Sequence, residues 1–218
     1  MKLFNISILG LLLLAACSNN QSAEKTLPIY GEREPVTKTV NGKTVTDTVY
    51  QTIPDFKFVN QYGSEITAKS LDNDIYVADF FFTSCPSICP VMHRNMLNVY
   101  QEFKNTPDVK ILSHTIDPSH DSVAVLKKYA DNLGISGNSW WFLQAPKETT
   151  YKLAESYLVT VAEDKNAAGG LVHAGYFILV DKQKRIRGTY DGTKPEDTQK
   201  LIADIKTLQA EYKNNKTT

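Results

Sequence analysis

Cysteine is scarce in this chain, three in 218 residues, and that scarcity excludes a fold stapled by a disulfide framework. A chain of this length buries a sizeable core unaided and suits one domain with appendages. A charge excess is missing too: 24 basic residues balance 24 acidic ones. No nucleic-acid partner is therefore expected, since that would need clustered Lys and Arg to displace phosphate counterions. The densest basic stretch, Lys182 to Arg187, reads as solvated charge on a hairpin. No apolar run reaches the ~20 residues of a membrane-spanning helix. Proline is absent between Pro146 and Pro195.

What is present begins with an address. Lys2 precedes an apolar stretch, Ile6 to Ala16, broken only by Ser7 and Gly10. Its length fits the apolar region of a secretory signal. It ends Leu14-Ala15-Ala16-Cys17, which resembles a bacterial lipobox, where small residues precede a cysteine that is lipidated and becomes the first mature residue. The expected organisation is a lipoprotein signal peptide over 1–16, a flexible polar tether over 17–26 and a folded domain over 27–213. The mature protein is expected outside the cytoplasm, on the periplasmic side, held to the membrane by the lipid on Cys17. Only Cys85 and Cys89 then remain to the soluble domain, in a compartment where disulfides form. Loss of residues 1–16 removes Lys2 and no acid, leaving a net charge of −1.

Thr37 to Tyr50 alternates Val and Thr around Asn41-Gly42, a strong hairpin signal. Ile53–Val59 and Glu65–Thr67 flank a turn at Gln61-Tyr62-Gly63 and predict a second hairpin. Ile75–Phe82 is almost continuously apolar, as expected of a central strand covered on both faces. Met92, Met96, Val99 and Phe103 share one helical face. The pattern then predicts a strand over Val109–Ile116, a helix over Asp121–Leu133 closed by Gly134, a short strand over Trp140–Leu143 and a helix over Lys147–Tyr157. A loop over Asp164–Gly170 follows, then a hairpin of Ala174–Val180 with Arg185–Tyr190. Pro195–Tyr212 is a final amphipathic helix with Glu196 and Asp197 in its first turn, where the helix dipole favours acids. Strands alternating with helices indicate an α/β fold. The order resembles a thioredoxin-like domain: a central mixed sheet flanked by helices, here with an extra N-terminal β-hairpin.

Cys85 and Cys89 lie in Phe80-Phe81-Phe82-Thr83-Ser84-Cys85-Pro86-Ser87-Ile88-Cys89-Pro90. A thiol at a strand-to-helix junction faces unpaired N–H groups and the positive end of the helix dipole, which favour the thiolate. Redox chemistry and soft-metal binding both require that form. The four-residue step lets two sulfurs share a metal or close a disulfide. As a mere staple the pair would be poor, because so short a loop restricts the unfolded chain little.

The segment Phe80–Pro90 resembles the F-x-F-T and C-x-x-x-C-P pattern of the Sco (SenC) family of copper chaperones for cytochrome oxidase. Ile116-Asp117-Pro118 with Asp121 resembles that family's V-D-P-x-x-D stretch, and Leu171-Val172-His173 resembles the segment carrying its metal-binding histidine. The similarity spans roughly residues 50–210 and leaves out the Thr37–Tyr50 hairpin. It implies one copper per chain, Cu(I) or Cu(II), held by Cys85, Cys89 and His173, with Asp117 as a supporting carboxylate. Soft thiolates with an imidazole suit Cu(I), although zinc would accept the same set. Thioredoxin-like oxidoreductases carry a cis-proline near the position of His173, so the missing proline favours metal binding. Asp79 argues the other way. Thioredoxins place a buried aspartate at this same distance, six residues before the first cysteine, where it assists proton transfer. The alternative for Asp79 is a solvated spot or a lysine partner. His93 is four residues past Cys89, while His114 falls inside a strand and His120 in a turn.

The resemblance implies a metallochaperone that delivers copper to, or matures, the dinuclear copper site of cytochrome c oxidase or another periplasmic copper protein, and not primarily an enzyme. The competing expectation is a thiol–disulfide oxidoreductase keeping the cysteines of copper-site proteins reduced. A redox or copper sensor finds no output module in the sequence.

Overall fold

The computed structural model describes residues 26–167 and 169–214. The expected signal segment, Cys17 and the expected tether up to residue 25 lie outside the described residues. A seven-residue strand, β5 (Ile75–Phe81), is buried at every position, as a run of apolar residues without alternation requires. Before it come the hairpin β1 (Arg33–Val40) and β2 (Lys43–Tyr50), then β3 (Lys57–Asn60) and β4 (Glu65–Thr67). After it come α1 (Cys89–Phe103), β6 (Val109–Thr115), α2 (Val123–Asn132), β7 (Trp140–Gln144), α3 (Lys147–Ser156), β8 (Val161–Glu163), β9 (Leu171–His173), β10 (Tyr176–Val180), β11 (Ile186–Asp191) and α4 (Pro195–Asn214).

The main sheet has the order β11-β10-β5-β6-β7-β3-β4. Its centre, β5-β6-β7, is parallel, and its flanks are antiparallel. Alternation along β5 assigns its side chains to two cores. Phe81 packs at a tilt against His93 of α1 and Tyr129 of α2. Phe80 meets His114 and Tyr157 at the end of α3. The site therefore grows from one face of the sheet, at the C-terminal end of its central strand.

His114 is expected within a strand and is found there, in β6, fully buried. It is caged by Phe56, Phe58, Phe80 and Tyr157. Neither ring nitrogen has a hydrogen-bond partner among the described residues. Burial pushes its pKa down to about 4, with only weak opposition from the Asp79 charge.

The extra hairpin turns at Asn41 (φ 51°) and Gly42 (φ 73°), the double positive φ that an Asn-Gly two-residue turn supplies. It stands almost wholly exposed. The chain leading into it is pinned by Arg187, which is 4% exposed. That guanidinium donates to Leu27 O (2.7 Å), Pro28 O (3.0 Å), Asp181 (3.0 Å) and Glu211 (2.8 Å).

Some bounds differ from the pattern-based expectation. β3 starts at Lys57 and not Ile53, since Pro54 has no N–H to give a ladder. α2 starts at Val123 behind the capping hydroxyl of Ser122, and Asp121 turns into the core. β10 starts at Tyr176, two residues late, because the Ala174 N–H donates to Thr160 O beside the β8–β9 ribbon (3.2 Å). The 164–170 loop is flanked by a small antiparallel ribbon, β8 with β9, that residue patterning did not indicate.

Candidate metal centre

Two separate pieces of chain build the site. The first is the turn between β5 and α1. Cys85 N–H donates back to Phe82 O (3.2 Å), and Cys89 opens α1, followed by Pro90, whose missing N–H costs nothing in a first turn. Cys85 is 8% exposed and Cys89 1%. The second piece is the β8–β9 ribbon, whose last residue is His173. The ribbon lies against the cysteine turn through Gly169 (φ +84°), where a Cβ would stand 2.8 Å from the Phe82 ring. The histidine expected just before a strand thus sits in a short strand of its own.

The two sulfurs and the imidazole nitrogen lie within 4.8 Å of one another. His173 Nε2 is 3.1 Å from Cys89 Sγ. Its Nδ1 is 3.3 Å from Ala174 O, the contact at which Nδ1–H donates in the ligating tautomer, and its Nε2 is aimed at the sulfurs. That orientation is the usual one for a ligating histidine. The cysteines are free thiols. Burial alone would raise Cys85. Hydrogen bonds at its sulfur from His173, the Cys89 side chain and the backbone N–H groups of Cys89 and Ser87 more than offset this and bring it down to about 5. Cys89 moves the other way: burial, the bond it gives to Cys85 and the nearby Cys85 and Asp79 charges hold its proton well above the ordinary thiol range. The ring nitrogen is nearer Cys89, yet the shared anion settles on the less buried Cys85. The pair is therefore one thiolate facing out and one thiol facing in. Such a set can take a soft metal ion with release of one thiol proton, or close a disulfide.

Asp117 is not brought into this cluster. It accepts from Ser119 Oγ (2.6 Å), and its N–H bonds Thr115 Oγ1 (3.1 Å). The carboxylate that holds the site is Asp121, fully buried. It accepts the Thr83 N–H (3.1 Å), the Thr83 and Thr115 hydroxyls and His120 Nδ1 (2.9 Å). It thereby fixes the start of the cysteine turn two residues before Cys85. The motif around Asp117 contained Asp121, but nothing in the spacing told which acid would turn inward.

Asp79 is fully buried. Its partner is neither solvent nor a lysine: Ser113 Oγ donates to it at 2.5 Å, and His93 Nε2 lies at 3.1 Å. His93 Nδ1 in turn meets Tyr129 Oη at 2.8 Å. His93 thus reaches the underside of the site through Asp79 and is not one of the three converging ligands. His120 is exposed and engaged with Asp121.

The SCO1/SenC family profile matches residues 45–210. The chain belongs to the SCO1/SenC family. The SCO1 protein homolog of Bacillus subtilis is 28% identical over 167 residues, covering 76% of this chain and 86% of that one. The solved SCO1/SenC family lipoprotein of Bacillus anthracis superposes with a TM-score of 0.67 at 28% identity, over 73% of this chain and 95% of that one. BsSco, described with a disulfide switch and as a member of the Sco family of cytochrome c oxidase assembly proteins, gives 0.65 at 28%, over 73% and 94%. The fold also matches copper-bound ScoI of Bradyrhizobium japonicum, at 22% identity and a TM-score of 0.58, over 72% and 99%. The SCO1/SenC match begins inside β2, so most of the exposed hairpin precedes it.

Proposed function

We propose that this SCO1/SenC protein is a copper carrier that works outside the cytoplasm and hands copper to the dinuclear copper site of cytochrome c oxidase or to another copper protein. The observation that carries the reading is the convergence of Cys85, Cys89 and His173, brought from two separate elements to within 4.8 Å. Two sulfurs and an imidazole are soft and borderline donors, a set suited to copper in either oxidation state. Cys85 offers a ready thiolate, Cys89 yields its proton on binding, and the Ala174 carbonyl keeps the imidazole in the ligating tautomer. Loading is gated by redox state, because a Cys85–Cys89 disulfide has no thiolate to give. In a copper titration the reduced protein should bind one equivalent tightly, and the oxidised protein none at the same site. A reduced protein that ignores copper would refute the carrier reading.

The second reading, disulfide reductase of copper-site cysteines, draws on the buried Asp79–His93 pair beneath the inner thiol and on the split between the two thiols. It combines with the first without conflict, since reduction and loading alternate on the same sulfurs.

We also propose that Cys17 carries the lipid anchor, on the strength of the Leu14-Ala15-Ala16-Cys17 sequence. Cys17→Ala should shift the protein from the membrane fraction to the soluble extracytoplasmic fraction, or stall its processing, when fractions are immunoblotted. Unchanged membrane retention after cleavage would exclude the anchor.

A further inference from the structure

A second cleft meets Cys85, sharing only that residue with the pocket that holds His173. It runs between α1 and α2 and has a volume of about 360 Å³. Pro90, Arg94 and Leu97 face it from α1, at the i, i+4, i+7 spacing of one helix face; Tyr129, Asn132 and Leu133 face it from α2. Apolar surface from Pro90, Leu97 and Leu133 alternates with polar groups: Thr83, His93 and Tyr129 already have partners inside the protein, while the Cys85 sulfur, the Asn132 amide and the Arg94 guanidinium face the cleft. No acid lines it. Arg94 is exposed and has no carboxylate partner among the described residues, although other basic groups nearby, such as Lys127 with Asp131, are paired. His93, in the wall, is already engaged with Asp79 and Tyr129 and offers no free nitrogen to a metal.

We propose that this cleft docks a short acidic peptide segment carrying a disulfide-bonded cysteine, with its carboxylate on Arg94 and its disulfide at Cys85. The inference rests on the reading that the cysteine pair exchanges disulfides. An unpaired guanidinium in a partly apolar groove selects an anion by charge and by bidentate geometry. The volume lies at the small end of ligand pockets, about 300 Å³ upward, and suits a few side chains better than a folded surface. A basic segment would be repelled by Arg94. The two clefts then divide the work at Cys85: metal on the His173 side, thiol exchange on the Arg94 side.

The exchange balances within the groups present. The Cys85 thiolate attacks the nearer sulfur of the peptide disulfide, that S–S bond breaks, and one peptide thiolate leaves. The Cys89 sulfur then attacks Cys85, its proton passes to the second departing peptide thiolate, and the Cys85–peptide bond breaks. The peptide disulfide gains two electrons and becomes two thiols after the first thiolate equilibrates with water. The protein loses two electrons and keeps a Cys85–Cys89 disulfide.

The test uses the reduced full chain and two synthetic homodisulfides, of acetyl-Glu-Cys-amide and acetyl-Gln-Cys-amide, with rates read by quenched-flow mass spectrometry at low salt. The protein has no net charge to attract anions in general, so a preference for the acidic peptide reports the local cation. The acidic peptide should react about tenfold faster, through KM and not kcat. The ratio of the two rates should fall to about one in Arg94→Gln, invert in Arg94→Glu and largely survive in Arg94→Lys. Equal wild-type rates, or a ratio untouched by Arg94→Glu, would overturn the assignment of the cleft while leaving the redox pair intact. A reduced protein inert to both peptides would overturn the disulfide-exchange reading itself.

Discussion

Replacement of His173 by alanine should lower Cu(II) affinity by about a hundredfold or more, and Cu(I) affinity by about tenfold at most. The asymmetry follows from the coordination each ion accepts. Cu(I) is a closed-shell soft ion that two thiolates hold in near-linear geometry. Cu(II) prefers a tetragonal set and needs the nitrogen that His173 Nε2 aims at the sulfurs from 3.1 Å. Visible absorption titration reads the Cu(II) arm through the sulfur-to-copper charge-transfer band, which should bleach or shift. A competition titration reads the Cu(I) arm. A variant with the wild-type Cu(II) spectrum and affinity would remove His173 from the ligand set. It would also remove the main reason to prefer a carrier over an oxidoreductase.

Mild acid should unfold this protein earlier than its acidic groups alone predict, and His114 is the cause. Its folded pKa is about 4, against 6.5 for the free side chain, because the buried imidazole sits among aromatic rings with neither nitrogen bonded. The unfolded chain therefore binds a proton between these two values that the folded chain refuses. The stabilising contribution is complete above the unfolded pKa and is lost as pH falls toward the folded one. A shift of this size corresponds to about 3 kcal/mol, a large share of a typical domain's stability. Urea melts at pH 7.5 and 4.5 should show most of that difference in the wild type. In His114→Leu the pH dependence over the same interval should largely disappear, whatever the variant's absolute stability. An unchanged slope would place the acid-sensitive group elsewhere.

The sequence made the frame legible because its signals are local. The uninterrupted apolar run of β5, the helical stripe of Met92, Met96 and Val99, and the Asn41-Gly42 turn each occupy one window of chain, and each forms the element expected. The α/β class, the thioredoxin-like arrangement and the extra hairpin follow from those windows. The cysteine pair was legible from its four-residue step, but its meeting with His173, 84 residues past Cys89, was legible only through the family resemblance and the missing proline. What stayed hidden depends on side-chain direction across long separations. Asp121 reaches back 38 residues to Thr83, and the neighbouring acid Asp117 looked as suitable. Asp79 finds His93 rather than a lysine because α1 lays that ring over β5. The ribbon of β8 and β9 has three residues per strand, too few for any period to emerge.

Arg187 has a mechanical consequence. Its four hydrogen bonds clamp the backbone at Leu27 and Pro28 to Asp181 and Glu211, at the β10–β11 turn and the end of α4. Tension applied at Leu27 would be met first by these four bonds. The β8–β9 ribbon meets the cysteine turn at other contacts, around Gly169. The contacts that hold the start of the described chain are thereby separate from those that shape the metal pocket.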